Sequence, residues 1–541
     1  MALAFVLPIL LQALPGNVSD SLRLNGDTGN QIQNSIHIAI NPTDRSNFLA
    51  TSADFRSGNP ALGHYASFDG GKSIAVDGTL NLSGYRYAQW PSVDFDGFGH
   101  AYIVGLHSTY GNAIMVHITR NGGRSFLPPL TVHKVVGEFA SSPFVAVDQR
   151  TSGTHARSIY ITYGTSDLIT RQTVMLVHSR TGGVSWSTPI VVDSLPYDRG
   201  YAQSHAVGPN GELYVSWIHG KSVYLRASTD GGNTFGPRRV LGAIAPIQNV
   251  MPPTAFPCWS YTRTAVDRSA GRYRGRVHVC WASIIGGSTD IFATYSDDGG
   301  ANWSTPQIVN DGRSNYQFMQ DIDVDEFGTT YCSWLDRRNA PHKHECFASV
   351  SYDGGTTWSS NRLVSDTSND PGPTTMMGAY CGIAASQGRA FATWVDYRSG
   401  TQDAYCAALQ TDLEYAPDTI RASTGGTITM PVRAGSAHRG ATYFLLASFG
   451  TNAGYPVGTS TFFLDIDPLM ALSAGAPNSA MFSKTLGTLD AQGFASPAPS
   501  FVAPPSVLTP LVGRSISFGY LLFRGTNIIY GSNPVTVGVV N

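Results

Sequence analysis

Three short phrases hold the side chains with the clearest chemical use: Asp54-Phe55-Arg56, Asp336-Arg337-Arg338 and Asp396-Tyr397-Arg398. A guanidinium is a planar fork of donors that matches a carboxylate two bonds at a time. Three such forks brought to one place would hold an anionic ligand such as a sugar acid. Arg56, Arg338 and Arg398 are therefore candidate binding residues, with Asp336, Asp396 and Tyr397 beside them. The same phrases admit a structural reading, in which each Asp pairs with its own or a neighbouring Arg and locks the fold. The elements that carry the phrases decide between the two.

Those elements repeat. The phrase SYDGGTTW, from Ser351, has five relatives: SFDGGKSI from Ser67, TRNGGRSF from Thr119, SRTGGVSW from Ser179, STDGGNTF from Ser228 and SDDGGANW from Ser296. Their starts fall 49 to 68 residues apart. With strand-like contents, that period means a solenoid, array or propeller. The glycine pair supplies the positive φ of a hairpin, the Asp, Asn or Thr accepts from turn amides, and the terminal aromatic returns to the core. The flanks repeat too, as an apolar run ending in Asp and then a run ending in Trp or Tyr. IDVDEFGTTYCSWLDRR from Ile322 is one example. One unit reads as strand, turn, strand, loop, strand, box, strand, which is a four-stranded blade.

Counting from Ile36 gives seven units, and the seventh, from Gly382, has three strands and no box. The segment SLRLNG, Ser21 to Gly26, is expected to supply the missing outer strand and to close the ring without an exposed edge. The expected fold is all-β, a seven-bladed propeller over residues 20–412, with six blades as the alternative. A small C-terminal β-sandwich is expected over residues 415–541. There charge is sparse and runs such as ATYFLLASFG and SISFGYLLF persist.

The repeated S-x-D-x-G-x-[TS]-[WF] phrase is that of the Asp box, or BNR repeat. From Ile36 to Leu409 the chain resembles the sialidase-like β-propeller superfamily and its secreted exo-sialidase-like proteins. The resemblance implies an acidic-glycan substrate and glycoside hydrolysis by a Tyr nucleophile, an activating Glu and an Asp acid/base. On this chain it nominates Tyr380, Glu138 and Asp54 as catalytic, with no cofactor and no metal. Sialidases hold the substrate carboxylate with three arginines, similar in kind to Arg56, Arg338 and Arg398. The early Arg-Ile-Pro phrase typical of active sialidases is absent.

Two other functions stay open. A propeller lyase on uronate polymers needs carboxylate neutralisation and a Tyr or His base. His64, His107, His205 and His219 lie near suitable strand ends. A non-catalytic propeller would bind glycan or protein at the cell surface, with the C-terminal domain touching surface components. In a four-stranded blade the boxes share one face, and the connections from strand two to three and from strand four to one share the other. Ligand is expected on that second face, where Tyr85, Trp90, Trp259 and Tyr261 are stacking candidates.

Composition sets the outer bounds. Charged residues are 13% and the formal net charge is −2, which argues against nucleic acid as the partner. Met1 to Gly16 is apolar but too short to span a bilayer and reads as a secretory signal segment, so the chain is expected to be secreted or at the cell surface. No other segment approaches membrane length. None of the six cysteines sits in a C-x-x-C pair, which argues against zinc. Disulfides and small buried hydrophobes both remain open for them.

Overall fold

The computed structural model describes residues 18–541 apart from 110–111, 199–202, 248–249, 252–255, 313, 341, 372–376, 416, 418 and 458–459. The expected signal segment, Met1 to Gly16, lies outside the described residues. Among the described residues no helix is long and apolar enough to cross a membrane.

Seven four-stranded antiparallel sheets are formed by residues 22–410. The first takes Gln33–Ile40, Phe48–Asp54, Ala61–Ser67 and Val76–Thr79 in order. The first strands of the others are Tyr87–Phe95, Phe139–Val147, Ser204–Val207, Thr262–Val266, Gln317–Val324 and Ile383–Ser386. Each first strand lies against the next in sequence order, and Ile383–Ser386 returns to Gln33–Ile40. The sheets are thus the blades of a β-propeller, with the first strands around a central channel. The outer strand of the last sheet comes from the N-terminal side: Leu22 pairs with Cys406 and Arg23 with Tyr405.

First strands of neighbouring blades make no ladder with each other, so side chains satisfy their amides. Val93 N donates to His37 Nδ1 (3.3 Å) and Val145 N to Ser92 Oγ (3.0 Å). Val147 N donates to Asp94 (2.7 Å), Ile383 N to Asp321 (3.0 Å) and Ala385 N to Asp323 (2.8 Å). These carboxylates at the channel wall therefore stitch blade to blade.

The boxes act as staples between blades as well as turns. In the first box Asp69 Oδ1 accepts from the Ser73 amide (3.0 Å) and Asp69 Oδ2 from the Ser73 hydroxyl (2.6 Å). Gly70 and Gly71 have φ of 73° and 78°. A Cβ on Gly71 would lie 2.4 Å from the Phe391 ring of the last blade, and one on Gly183 would lie 2.7 Å from Ile118 of the blade before it. Arg389 adds a bond from Nη1 to the Gly70 carbonyl (2.7 Å). Gly71→Ala is expected to cost about 2–4 kcal/mol through strain at positive φ and overpacking against Phe391, read as a lower urea midpoint. A midpoint equal to that of the parent protein would show that the box tolerates a side chain here.

Past Leu413 two sheets share one core. The larger takes Thr419–Arg421, Val535–Val540, Ser515–Arg524, Thr442–Ser448 and Leu486–Thr488, with Asn527–Gly531 on Ser515–Arg524. The smaller takes Gly426–Thr429, Ser500–Ala503 and Phe482–Ser483. Ile428, Phe482 and Phe501 from the smaller pack with Leu445, Phe518 and Val537 from the larger. This unit docks on the box face of the propeller. Tyr530 stands edge-on to Phe327 (5.3 Å), and its hydroxyl donates to Asp412 (2.7 Å). Lys72 of the first box lies over Phe463.

Burial pushes the Asp412 carboxyl up to about 7, against the bonds it accepts from Tyr530 and Tyr520. In the unfolded chain the same group titrates near 3.8. The folded state therefore binds the proton more tightly. Stability is full below about pH 4 and declines as pH rises through 7, by up to about 4 kcal/mol from this group. Asp412→Asn is expected to flatten the pH dependence of the melting temperature between pH 5 and 8; an unchanged profile would remove Asp412 as its source.

All six cysteines are buried and free. They serve as the small hydrophobes that were one of the two readings of their spacing.

Candidate functional site

The far face, opposite the boxes, carries the Asp-x-Arg phrases at the ends of second strands, and each phrase closes on itself. Asp54 is fully buried and accepts from Gln33 Nε2 (3.2 Å), Tyr65 Oη (2.9 Å) and Arg56 Nε (2.9 Å). Arg56 Nη2 then reaches Asp77 of the fourth strand at 2.6 Å. Asp336 accepts from Trp334 Nε1 (2.8 Å) and Arg338, whose Nη1 meets Asp311 at 2.6 Å. Asp396 accepts from Trp394 Nε1 (2.9 Å) and Arg398, whose Nη2 meets Asp366 at 2.6 Å. Arg338 also lies over Phe347 and Arg398 over Tyr405. Despite burial, the paired carboxylates hold the Arg56 guanidinium well above the usual arginine range. The expectation of three forks converging on one ligand is thereby corrected. Each fork is held between two carboxylates, because the Asp ending the second strand and a more distant Asp flank the same Arg. Tyr397 donates its amide to Asn369 and is half-buried.

The nominated catalytic trio is not assembled either. Tyr380 is buried, its hydroxyl donates to the Pro91 carbonyl (2.5 Å) across the ring, and burial pushes its pKa far up. Glu138 pairs with Arg171 (2.6 Å). Asp54 is engaged as above. Each of the three is thus bonded to a different partner, in a different part of the ring.

A cavity of about 530 Å³ opens on the box face instead. It is the box-side end of the channel, lined by alternate residues of the first strands. Its deepest layer is His37, Phe144, Ser204, Arg263 and Asp321, with the His205 ring behind Phe144 (6.0 Å). The next layer is small, with Ala39, Ala146, Ala265 and Ala384, apart from Asp94 and Asp323. Arg45, Arg268, Arg274 and Glu326 stand at the mouth, on turns from first to second strands.

Arg263 is 4% exposed and sits in an aromatic cage, its guanidinium 4.6 Å from Tyr261, 4.7 Å from Phe144 and 5.0 Å from Tyr380. Asp321 Oδ1 lies 3.4 Å from Nε, and neither Nε nor Nη2 has a hydrogen-bond partner among the described residues. A buried donor left unbonded is costly and marks a place for an acceptor. Burial, then the Arg263 charge, lowers His37 to about 3, and burial lowers His205 to about 4, so both rings are neutral at pH 7. Burial raises Asp94 and Asp321 to about 6 and Asp323 to about 7. As these carboxyls take up protons below pH 7, Asp321 ceases to offset Arg263, and Asp94 and Asp323 cease to offset Arg268, which suits an anionic guest.

Sequence reasoning missed Arg263 because it ends one loop and begins a strand, and only its neighbours were read as a repeat. The signal was available: stacking the first strands places Arg263 level with His37, Ser92, Phe144, Ser204 and Asp321. Among the described residues no group of three His, Cys, Asp or Glu side chains is arranged to hold a metal ion.

Fold and site together define a β-propeller with a charged central funnel. No protein-family profile matches the chain, and no curated protein does. Among solved structures the likeness is to sialidase and arabinanase propellers. The Hadza microbial sialidase Hz136 is 12% identical, with 68% of this chain and 75% of that one covered and a TM-score of 0.40. The GH93 α-L-arabinofuranosidase of Fusarium graminearum, in complex with arabinobiose, is 12% identical, with 73% and 98% covered and a TM-score of 0.43. The α-L-arabinanase of Penicillium chrysogenum, also complexed with arabinobiose, is 11% identical, with 72% and 98% covered and a TM-score of 0.40.

Proposed function

We propose that the chain is a secreted or surface-borne, seven-bladed carbohydrate-binding propeller with a C-terminal β-sandwich, and that it takes an acidic sugar residue into the box-face funnel. One observation carries the reading. Arg263 is a buried guanidinium with two unbonded nitrogens at the floor of a cavity of about 530 Å³, within the size range of small-molecule sites. A carboxylate is the natural acceptor for that fork, and Phe144, the one ring of the cage that lines the cavity, offers an apolar surface to a sugar. Binding without hydrolysis fits the far face, where Tyr380, Glu138 and Asp54 are separately engaged.

Calorimetric titration tests it, with glucuronate, galacturonate and N-acetylneuraminate against their neutral counterparts. An acidic sugar is expected to bind, more tightly at pH 5.5 than at pH 7.5 as Asp321 and Asp323 take up protons. Arg263→Gln should weaken it about tenfold or more, the worth of a charge-assisted bond. Equal binding of acidic and neutral sugars would sink the reading. Release of sugar from a synthetic sialoside, lost in Tyr380→Phe, would replace it with hydrolysis on the far face.

A further inference from the structure

The six boxes are not chemically alike. Those from Ser67, Ser228, Ser296 and Ser351 carry Asp69, Asp230, Asp298 and Asp353. Hydrogen bonds from each turn outweigh its slight burial and keep these carboxyls below the ordinary range, Asp230 at about 2. The boxes from Thr119 and Ser179 place Asn121 and Thr181 there instead, and each puts an arginine, Arg120 or Arg180, one residue earlier. The turn is kept without its charge. Ser125 N donates to Asn121 Oδ1 (3.0 Å), and Ser185 N donates to Thr181 Oγ1 (2.8 Å).

These two boxes belong to neighbouring blades and border a cleft of about 410 Å³. Arg120, Arg157, Arg180 and His100 line it, and among the described residues no carboxylate does. Asp96, beneath it, is bonded to the Phe98 and His100 amides and to the His100 ring. The three guanidinium groups are little used. Arg120 forms no ion pair with any described residue, and Arg157 lies over the Phe98 ring (4.5 Å), which leaves its N–H edge free. Arg180 Nη2 makes only long contacts, 3.5 Å to the Gly231 carbonyl and 3.4 Å to Asn233 Oδ1. Three forks round one cleft suit an anion with three accepting oxygens better than a two-oxygen carboxylate. The absence of carboxylates from the two bordering turns raises the local potential further.

We propose that this cleft is a second binding site, for sulfate or phosphate esters carried on a sugar chain. It does not depend on the funnel. The turn Gln149 to Arg157 runs from one to the other, since Gln149 and Arg150 line the funnel while Ala156 and Arg157 line the cleft. A charged polymer on the box face can therefore meet both.

The test uses dextran sulfate, neutral dextran and inorganic sulfate as probes of the whole chain, at about 0.1 M salt to limit diffuse attraction. Dextran sulfate is expected to bind, neutral dextran is not, and inorganic sulfate should compete only weakly. Two double variants report on the cleft. Arg120→Gln with Arg180→Gln removes the forks. Asn121→Asp with Thr181→Asp restores the usual box residue, which accepts from the same turn amides, so the fold is kept. Each is expected to weaken dextran sulfate binding about tenfold or more, with the melting temperature within about 2 °C of the parent. Parent-like binding by both variants overturns the site. Inorganic sulfate binding as tightly as the polymer overturns the sugar-chain assignment.

Discussion

A chain lacking residues 18–25 is expected to lose its cooperative fold, or to melt about 10 °C or more below the full chain. That segment supplies the outer strand of the last blade. Its hydrogen bonds include Ser19 N to the Ala408 carbonyl (2.9 Å) and Leu24 N to the Ala404 carbonyl (2.8 Å). Leu24 is fully buried, worth about 2 kcal/mol. The greater loss falls on Asp403, fully buried, whose Oδ1 accepts from Arg23 Nη2 (2.6 Å) and Asn25 Nδ2 (2.9 Å). Deletion takes both donors away and leaves the Ser399 hydroxyl on the other oxygen. Stranding a buried charge costs about 3–5 kcal/mol. Together these approach the net stability of an ordinary domain, about 5–15 kcal/mol. The deletion also bares the edge of Asp403–Gln410, so association is expected in size-exclusion chromatography. Thermal melting by circular dichroism checks the first effect at roughly 2–4 °C per kcal/mol. A truncated chain that melts with the full one would mean that the ring is held elsewhere.

The second large effect is at the joint between the two parts of the chain. Glu414 is 7% exposed and bridges Arg362 of the sixth blade to Arg433 of the C-terminal unit. Tyr352 adds a hydroxyl bond to Glu414 (3.0 Å) and a ring beneath Arg433 (4.6 Å). Glu414→Ala leaves two half-buried guanidinium groups facing each other without their shared anion. The expected cost is about 3–5 kcal/mol. The melt should split into two transitions as the C-terminal unit releases from the box face. Glu414→Gln keeps the shape and acceptor but not the charge, and should fall between. A single transition at the parent temperature in the Ala variant would show that the joint rests on Tyr530, Phe327 and Asp412 alone.

Much of the scaffold was legible because it is written in local signals. The box turn needs two residues at positive φ, a side-chain acceptor and a returning aromatic, all within eight positions. Period-two apolar runs then give the strands. Ser21 to Gly26 could be assigned to the last blade because that unit lacked one strand and an open edge is unstable. The site was less legible. Asp-x-Arg phrases look alike whether the arginine is free or paired. The partners that settle the matter, Asp77, Asp311 and Asp366, lie 21, 27 and 32 residues away in the chain.

By itself, then, the sequence determined the repeat, the turn at each box and the strand order within a unit, since each follows from contacts between near neighbours along the chain. Only the tertiary structure decided which arginines remain available. Arg263, His37, Phe144 and Asp321 come from four blades and meet only when the ring closes. A guanidinium is engaged or free according to the carboxylates within a few ångströms of it, and that distance is set by the ring rather than by position in the chain.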